Sequence, residues 1–507
     1  MILTIYLEKH ANQKQIERGN VSLKTFSVLD NYPEYEVNIG IEVHVQLTTK
    51  SKIFCSCSNE VTKDSNKNIC EICSGYPGTL PVLNTQVVKN AVLAGLATNC
   101  KIAKVSYFAR KHYFYPDLPK GYQITQSDVP ICSEGYIPIR LQDGSIKNIR
   151  LLRIHMEEDA GKNIHAPFSN ASFVDLNRTG TPLLEIVSHP DIASTYEAKS
   201  YLKILRSIVQ YLNICSGNME EGAFRADTNI SVKKKTDKQL GTRCELKNIN
   251  SFKFIGDAIE YEIERQIEMI GRGEQVKQET RLWNTKEKKT TPMRSKEESA
   301  DYRYFEEPDL PLVEINEEFI TRIQKTLPEL PYQKFDRLIE EKNISAYEAE
   351  ILVEDQELAD YFEKAYNTYP SKNIINWILR DILGYLKDQK LSLIECKVTP
   401  KHLAKIVELL ETGKINNHAA KEVFEDIAQS GKNPEDVVKE KGLEQVGSVE
   451  ELEKIVLEII KQNPDNVALY KSGKDRIFGF FVGQCMKKTQ GKGNPKIIQE
   501  LLKKHLS

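Results

Sequence analysis

The sequence predicts an α+β protein: a sheet-rich region first, then helical domains. Three observations carry that prediction. Residues 35 to about 310 hold short runs in which apolar and polar residues alternate, at 37–47, 145–158, 224–232 and 242–249, separated by Gly, Pro and Asn turns. Two stretches inside that region have helical spacing instead. From about 333 onward nearly every segment reads as helix. Strands grouped together, with helices covering one side, argue for α+β over a doubly wound parallel sheet.

The first run shows the strand argument most plainly. In Val37-Asn-Ile-Gly-Ile-Glu-Val-His-Val-Gln-Leu47, Val37, Ile39, Ile41, Val43, Val45 and Leu47 fall on one face. Glu42 and His44 fall on the other, two residues apart and aimed the same way. Such a face is either an ordinary solvated sheet surface or half of a metal and acid/base site. In 195–213, Tyr201, Leu202, Leu205, Ile208, Val209 and Leu212 have helical spacing, with Ser194 or Thr195 as cap. In 256–272, Ile259, Ile263, Ile267 and Ile270 repeat the pattern up to Gly271 and Gly273.

Prolines mark the domain boundaries. Asp309-Leu-Pro311 and Leu327-Pro-Glu-Leu-Pro331 separate the sheet region from the helices, and Val398-Thr-Pro400 divides the helical part. The expected organisation is a loosely ordered extension at 1–34, a sheet domain at 35–310, a helical domain at 311–398 and a helical tail domain at 399–507. In the helical part, Ser345 is expected to cap a helix running to about Tyr366, and Ser371 the next one.

The chain has 507 residues, too many for one core, and its composition is that of a soluble globular protein: 40% hydrophobic, 28% charged, formal net charge −2. Global charge therefore indicates no nucleic-acid partner, but the stretch 471–507 holds nine Lys/Arg against Asp475 and Glu500, a local excess fit for phosphates or for a solvated helical face. No apolar run approaches the roughly 20 residues of a membrane helix, and no secretory signal is evident. Ten cysteines in a chain this long do not make a disulfide scaffold, and a reducing, cytoplasmic compartment is expected.

Four of those cysteines cluster. Cys55-x-Cys57, twelve intervening residues, then Cys70-x-x-Cys73 suits tetrahedral structural zinc in a ribbon-like knuckle. The polar faces of the strands are the other constellation. Arg225, Asp227, Asn229 and Ser231 share one face, and so do Glu245 and Lys247; His155-Met-Glu-Glu-Asp159 ends another run, and Glu185 stands in Pro182-Leu-Leu-Glu-Ile-Val187. Carboxylates on a rigid sheet with basic residues nearby suit a divalent ion bound to nucleotide phosphates. The segment Phe108-Ala-Arg-Lys-His-Tyr-Phe-Tyr-Pro-Asp117 interleaves aromatics with bases, as loops that stack a base or hold phosphate do. Neither a P-loop nor a kinase glycine loop is present. No paired-serine amidase motif or nucleophilic cysteine context occurs, so any ammonia used here comes from another chain.

Assembled, these segments resemble the B-subunit family of bacterial-type aspartyl/glutamyl-tRNA amidotransferases. The resemblance covers roughly 35–507. Its motifs include Ile39-Gly-Ile-Glu-Val-His-Val-Gln-Leu47, Ala109-Arg-Lys-His-Tyr-Phe-Tyr-Pro-Asp117, His155-Met-Glu-Glu-Asp-Ala-Gly-Lys162, Met219-Glu-Glu-Gly222, Glu245-Leu-Lys-Asn-Ile-Asn-Ser251, Asp301-Tyr-Arg-Tyr-Phe305 and Gly491-Lys-Gly-Asn-Pro495. It implies a glutamine-synthetase-like antiparallel-sheet cradle that uses ATP to phosphorylate the side-chain carboxylate of Glu or Asp on misacylated tRNA(Gln) or tRNA(Asn). Ammonia from a partner amidase subunit then completes the amide. A small clamp subunit makes the assembly a heterotrimer, and the helical tail binds tRNA. By position, the resemblance assigns magnesium to His44, Glu158 and Glu185, with Glu42 and Glu157 adjacent. Asp227 and Arg225, expected to act in catalysis, would serve ATP or a second metal, Lys247 would serve ATP, and Lys111 would lie near the reacting carboxylate. An imidazole ligand suits manganese better than magnesium. The larger subunit of the archaeal two-subunit enzyme is excluded, because no stretch here has room for its synthetase-like insertion. The alternative is a non-catalytic tRNA-binding scaffold.

Overall fold

The computed structural model describes residues 27–165, 171–293, 302–444, 449–474, 476–489 and 493–506. Its centre is a nine-stranded sheet. In chain order the strands are β1 (Tyr35–Gln46), β2 (Lys101–Ile102), β3 (Cys132–Arg140), β4 (Ile146–Glu158), β5 (Pro182–Ser188), β6 (Phe224–Lys234), β7 (Cys244–Lys247), β8 (Glu279–Asn284) and β9 (Lys289–Pro292). They lie side by side as β9-β8-β7-β6-β1-β5-β4-β3-β2. All neighbours are antiparallel except β7 and β8, which run parallel across the helix between them. The four alternating runs of the sequence are β1, β4, β6 and β7, within a few residues at each end.

The alternation becomes two chemically different faces. On β1, Val37, Ile39, Ile41, Val43 and Val45 are 0–2% exposed. They join one continuous core with α1 (Thr85–Ala97), α2 (Thr195–Tyr211) and α3 (Phe252–Gly271). Each such side chain contributes about 1.5–3 kcal/mol by leaving water, so a one-residue register slip, which would turn this row outward, is strongly disfavoured. The first helix starts at the cap expected, Ser194, which accepts from the Glu197 N–H at 3.1 Å; the second starts four residues earlier than read, where Ser251 accepts from the Phe254 N–H at 3.1 Å.

The chain divides into two compact units, one ending at Arg337 and the other beginning at Leu338. Leu310, Val313, Ile315, Ile323 and Leu330 belong to the sheet core, so the first unit reaches beyond the boundary read near 310. Before β1, residues 1–26 lie outside the described residues. Residues 27–34 are ordered where a loose extension was expected: Val28–Asn31 form a 3-10 turn, and the Val28 N–H donates to Glu260 on α3 at 2.8 Å.

The second unit is helical throughout. The single helix expected after Ser345 is two, Ala346–Val353 and Gln356–Thr368, because Asp355 caps the second by accepting from the Leu358 N–H at 3.2 Å. At the Val398-Thr-Pro400 punctuation, Thr399 caps Pro400–Glu411 with proline in the first turn. Leu452, Val456, Ile459, Phe481, Cys485 and Leu502 form a separate small core under the basic tail. Gly491, part of the tail motif, and Asp301 lie outside the described residues.

Candidate metal and nucleotide site

The sheet face opposite the helices carries the site. Antiparallel register sets its chemistry, because residues directly opposite share a face. His44 on β1 stands between Glu185 on β5 and Arg225 on β6, and Glu42 pairs with Asp227. Glu185 in turn faces His155 on β4. Five strands therefore bring Lys247, Asp227, Arg225, Glu42, His44, Glu185, His155 and Glu157 to one surface, and all of these but His155 line a cavity of about 440 Å³.

His44 Nε2 lies 3.3 Å from Glu157, 3.4 Å from Glu185 and 3.9 Å from Glu42. His155 Nε2 lies 3.6 Å from Glu157 and 3.5 Å from Glu185. Two triads result, Glu42/His44/Glu185 and His155/Glu157/Glu185, each with ligand atoms close enough to share one ion. Carboxylate oxygens suit a hard divalent cation, and the two imidazoles tilt the set toward manganese. The electrostatics are those of a cluster short of positive charge. Burial opposes the charged rings, yet the Glu157 and Glu185 carboxylates hold His44 well above its ordinary pKa. The same carboxylates, Glu185 foremost, hold His155 at about 9 against its own burial. Glu157 falls to about 2 despite burial, because both imidazoles donate to it. Glu42 moves up, through burial and then the Glu185 charge.

One end of the cavity is lined by cations held by acids. Lys247 bridges Asp227 at 2.7 Å and Glu245 at 2.9 Å. Arg225 donates to Asp159 at 3.0 Å. Lys111, on the short strand Ala109–His112, also lines the cavity, with Nζ 4.8 Å from the centre of the Tyr302 ring. Burial alone would lower its pKa. The Tyr304, Glu157 and Glu185 charges outweigh that and raise it.

Glu158 is placed elsewhere. Period 2 turns it to the other side of β4 from Glu157, where it is 1% exposed, pairs with Lys120 and accepts from the Ile124 N–H at 2.9 Å. The structure brings Glu157, not Glu158, to His44. His155 and Asp159 were read only as parts of a motif. The signal for His155 was present: it shares the phase of Glu157, two residues on.

The four cysteines meet as their spacing implies. The sulfurs of Cys55, Cys57, Cys70 and Cys73 lie together, and none is in a disulfide. Cys73 is held at about 5 by hydrogen bonding from Cys55, against burial, with the Lys52 charge helping; Cys57 is pushed up to about 11, burial first. Lys52 itself is fully buried, its Nζ 3.7 Å from Cys73 Sγ and 2.7 Å from the Asn68 carbonyl. Clustered sulfurs with a thiolate and a buried ammonium suit a structural metal ion.

Known proteins match this sequence closely. Residues 37–321 match the family model described as the GatB/GatE catalytic domain, and residues 360–506 match the one described as the GatB domain. A protein of Geobacter sp. strain M21 is 51% identical over 477 residues, covering 93% of this chain and 99% of its own length. Proteins of Thermodesulfovibrio yellowstonii and Persephonella marina are each 49% identical, covering 93% of this chain and 99% and 100% of their own lengths. All three are named as the B subunit of an aspartyl/glutamyl-tRNA(Asn/Gln) amidotransferase. No helix among the described residues is long and apolar enough to cross a membrane.

Proposed function

Because the chain belongs to the aspartyl/glutamyl-tRNA(Asn/Gln) amidotransferase B-subunit family, we propose that its sheet face activates the side-chain carboxylate of Glu or Asp on misacylated tRNA. The observation that carries this reading is the carboxylate–imidazole cluster flanked by Lys247, Arg225 and Lys111 around one cavity. A carboxylate resists ammonia because oxide is a poor leaving group. One carboxylate oxygen attacks the γ-phosphorus of ATP and ADP departs. Ammonia then adds to the carbonyl carbon, phosphate leaves, and a proton is lost to give the amide. Phosphoryl transfer of this kind needs positioning and charge neutralisation more than covalent help from the protein.

Each residue has a task in that scheme. His44, Glu42, Glu157 and Glu185, with His155, would hold magnesium or manganese. The ion would supply positive charge to the phosphates. Lys247 and Arg225, pre-oriented by Asp227 and Asp159, would face the nucleotide. Lys111 would stand near the reacting carboxylate. The four cysteines would hold zinc. A partner amidase subunit would deliver ammonia, a small clamp subunit would join the two, and the basic tail would contact tRNA. Free cysteines accord with a reducing cytoplasm.

The test is reconstitution with the amidase partner, followed by amidation of Glu-tRNA(Gln) and Asp-tRNA(Asn) with and without ATP. ATP consumption stimulated by the misacylated tRNA is expected, with Asp227→Asn reducing it. Amidation that proceeds without ATP, or an Asp227→Asn variant at wild-type rate, would leave the scaffold reading standing.

A further inference from the structure

Arg153 stands on β4 in phase with His155 and Glu157, yet its guanidinium is barely engaged. Its closest carboxylate oxygen is Glu185 Oε1 at 3.9 Å, beyond hydrogen-bond reach. Its Nε is buried without a hydrogen-bond partner. A guanidinium carries five N–H donors in a fixed fork, and leaving even the buried one on Nε unpaired is costly. Arg225 also has an unpartnered Nε, but one of its terminal nitrogens donates to Asp159 at 3.0 Å, and Arg110 pairs with Glu307 at 2.8 Å; among the described residues, neither terminal nitrogen of Arg153 makes such a bond.

Its position narrows what the missing acceptor is. Glu185 divides its oxygens. Oε2 faces the two imidazoles, while Oε1 faces Arg153. Arg153 thus borders the metal cluster on the β4 side. Lys247 and Arg225 border it on the β7 and β6 side, across β1 and β5. Arg153 therefore marks a separate corner of the cluster, on its β4 side. A reaction between a nucleotide and a carboxylate needs an anion-holding group on each side of the ion, and this corner is the one not assigned to the nucleotide.

We infer that Arg153 receives the side-chain carboxylate of the aminoacyl group, and that it is the residue distinguishing the acid substrate from its amide product. The inference rests on the function proposed above. A guanidinium fork matches both oxygens of a carboxylate. The product amide offers one acceptor and turns an N–H toward the cation, so it binds less well and is released.

The reconstituted enzyme tests this, with Gln-tRNA(Gln) as competitive inhibitor against Glu-tRNA(Gln). In Arg153→Gln, KM for Glu-tRNA should rise about tenfold or more while KI for Gln-tRNA changes less than about twofold. Arg153→Lys should fall between, and millimolar guanidinium should restore part of the loss in Arg153→Ala. Mn2+ affinity, read by electron paramagnetic resonance, should stay within about twofold in all three. If KM and KI rise together, or Mn2+ affinity falls in step with KM, Arg153 merely positions Glu185 and the inference is overturned. Should Arg153→Gln fail to fold, an unchanged KI/KM ratio in Arg153→Lys overturns it equally. A wild-type complex without ATP-dependent amidation removes the underlying reading as well. An active wild type whose ratio is unmoved in the variants removes this inference alone.

Discussion

The protein carries two candidate metal clusters built in opposite ways. The cysteine cluster takes four ligands of one kind from 19 consecutive residues, 55–73, on irregular backbone. The sheet cluster takes carboxylates and imidazoles from β1, β4 and β5, residues 42–185, each fixed on a strand. A loop becomes rigid when an ion crosslinks it, so the first cluster makes structure. Strands are rigid beforehand, so the second, if it holds an ion, would leave its ligands free for chemistry and its shell open. One backbone link between their neighbourhoods runs through Gly180, which accepts from the Ile53 N–H at 2.9 Å and donates to the Asp159 carbonyl at 3.0 Å.

Removing metal from the cysteine cluster should have the largest effect. Structural zinc in isolated knuckles contributes on the order of 10 kcal/mol; in this larger domain several kcal/mol are expected. Cys73→Ser should lower Tm by many degrees, with zinc content measured alongside, and leave bound Mn2+ at the sheet in molecules still folded. A parallel loss of Mn2+ would break the separation of the two clusters. Glu158→Gln comes next. It strands Lys120 beside a buried site, at a cost of about 3 kcal/mol, so calorimetry should show a lowered Tm while Mn2+ affinity stays intact. If Mn2+ binding is lost with no fall in Tm, Glu158 is the ligand that its motif position suggests. Glu157→Gln should differ in losing about 100-fold in Mn2+ affinity, with a fall in Tm as well, because His44 and His155 lose a buried partner. Thr125→Val has the smallest effect. It deletes the hydroxyl donating to Glu157 at 3.2 Å, worth about 1 kcal/mol or roughly fivefold in Mn2+ affinity.

The same contrast explains what was legible in advance. Cys55, Cys57, Cys70 and Cys73 were readable because their spacing is local and their chemistry admits few uses. His44 was readable as a polar member of an alternating run, and Glu185 as the one carboxylate in the apolar stretch 182–187. Choosing between Glu157 and Glu158 required the phase of β4 against β5, and adjacent carboxylates in one motif do not reveal it. His155 and Arg153 share that phase and became visible only once Glu185 was seen opposite. In the helical unit, a single expected helix became two, because the Asp355 side chain offers the backbone a cap that the apolar pattern runs across.

By itself the sequence determined the α+β class, the strand faces, the helix caps and the sulfur cluster, because periods of 2 and 3.6 and short ligand spacings are properties of local backbone geometry. The tertiary structure alone decided which strands lie side by side. That order put β1 between β5 and β6, set His44 against Glu185, turned Glu158 toward Lys120, and left Arg153 facing the cluster without a partner. Register across a sheet is fixed by burying the apolar face of many strands at once, and no single stretch of chain contains that information.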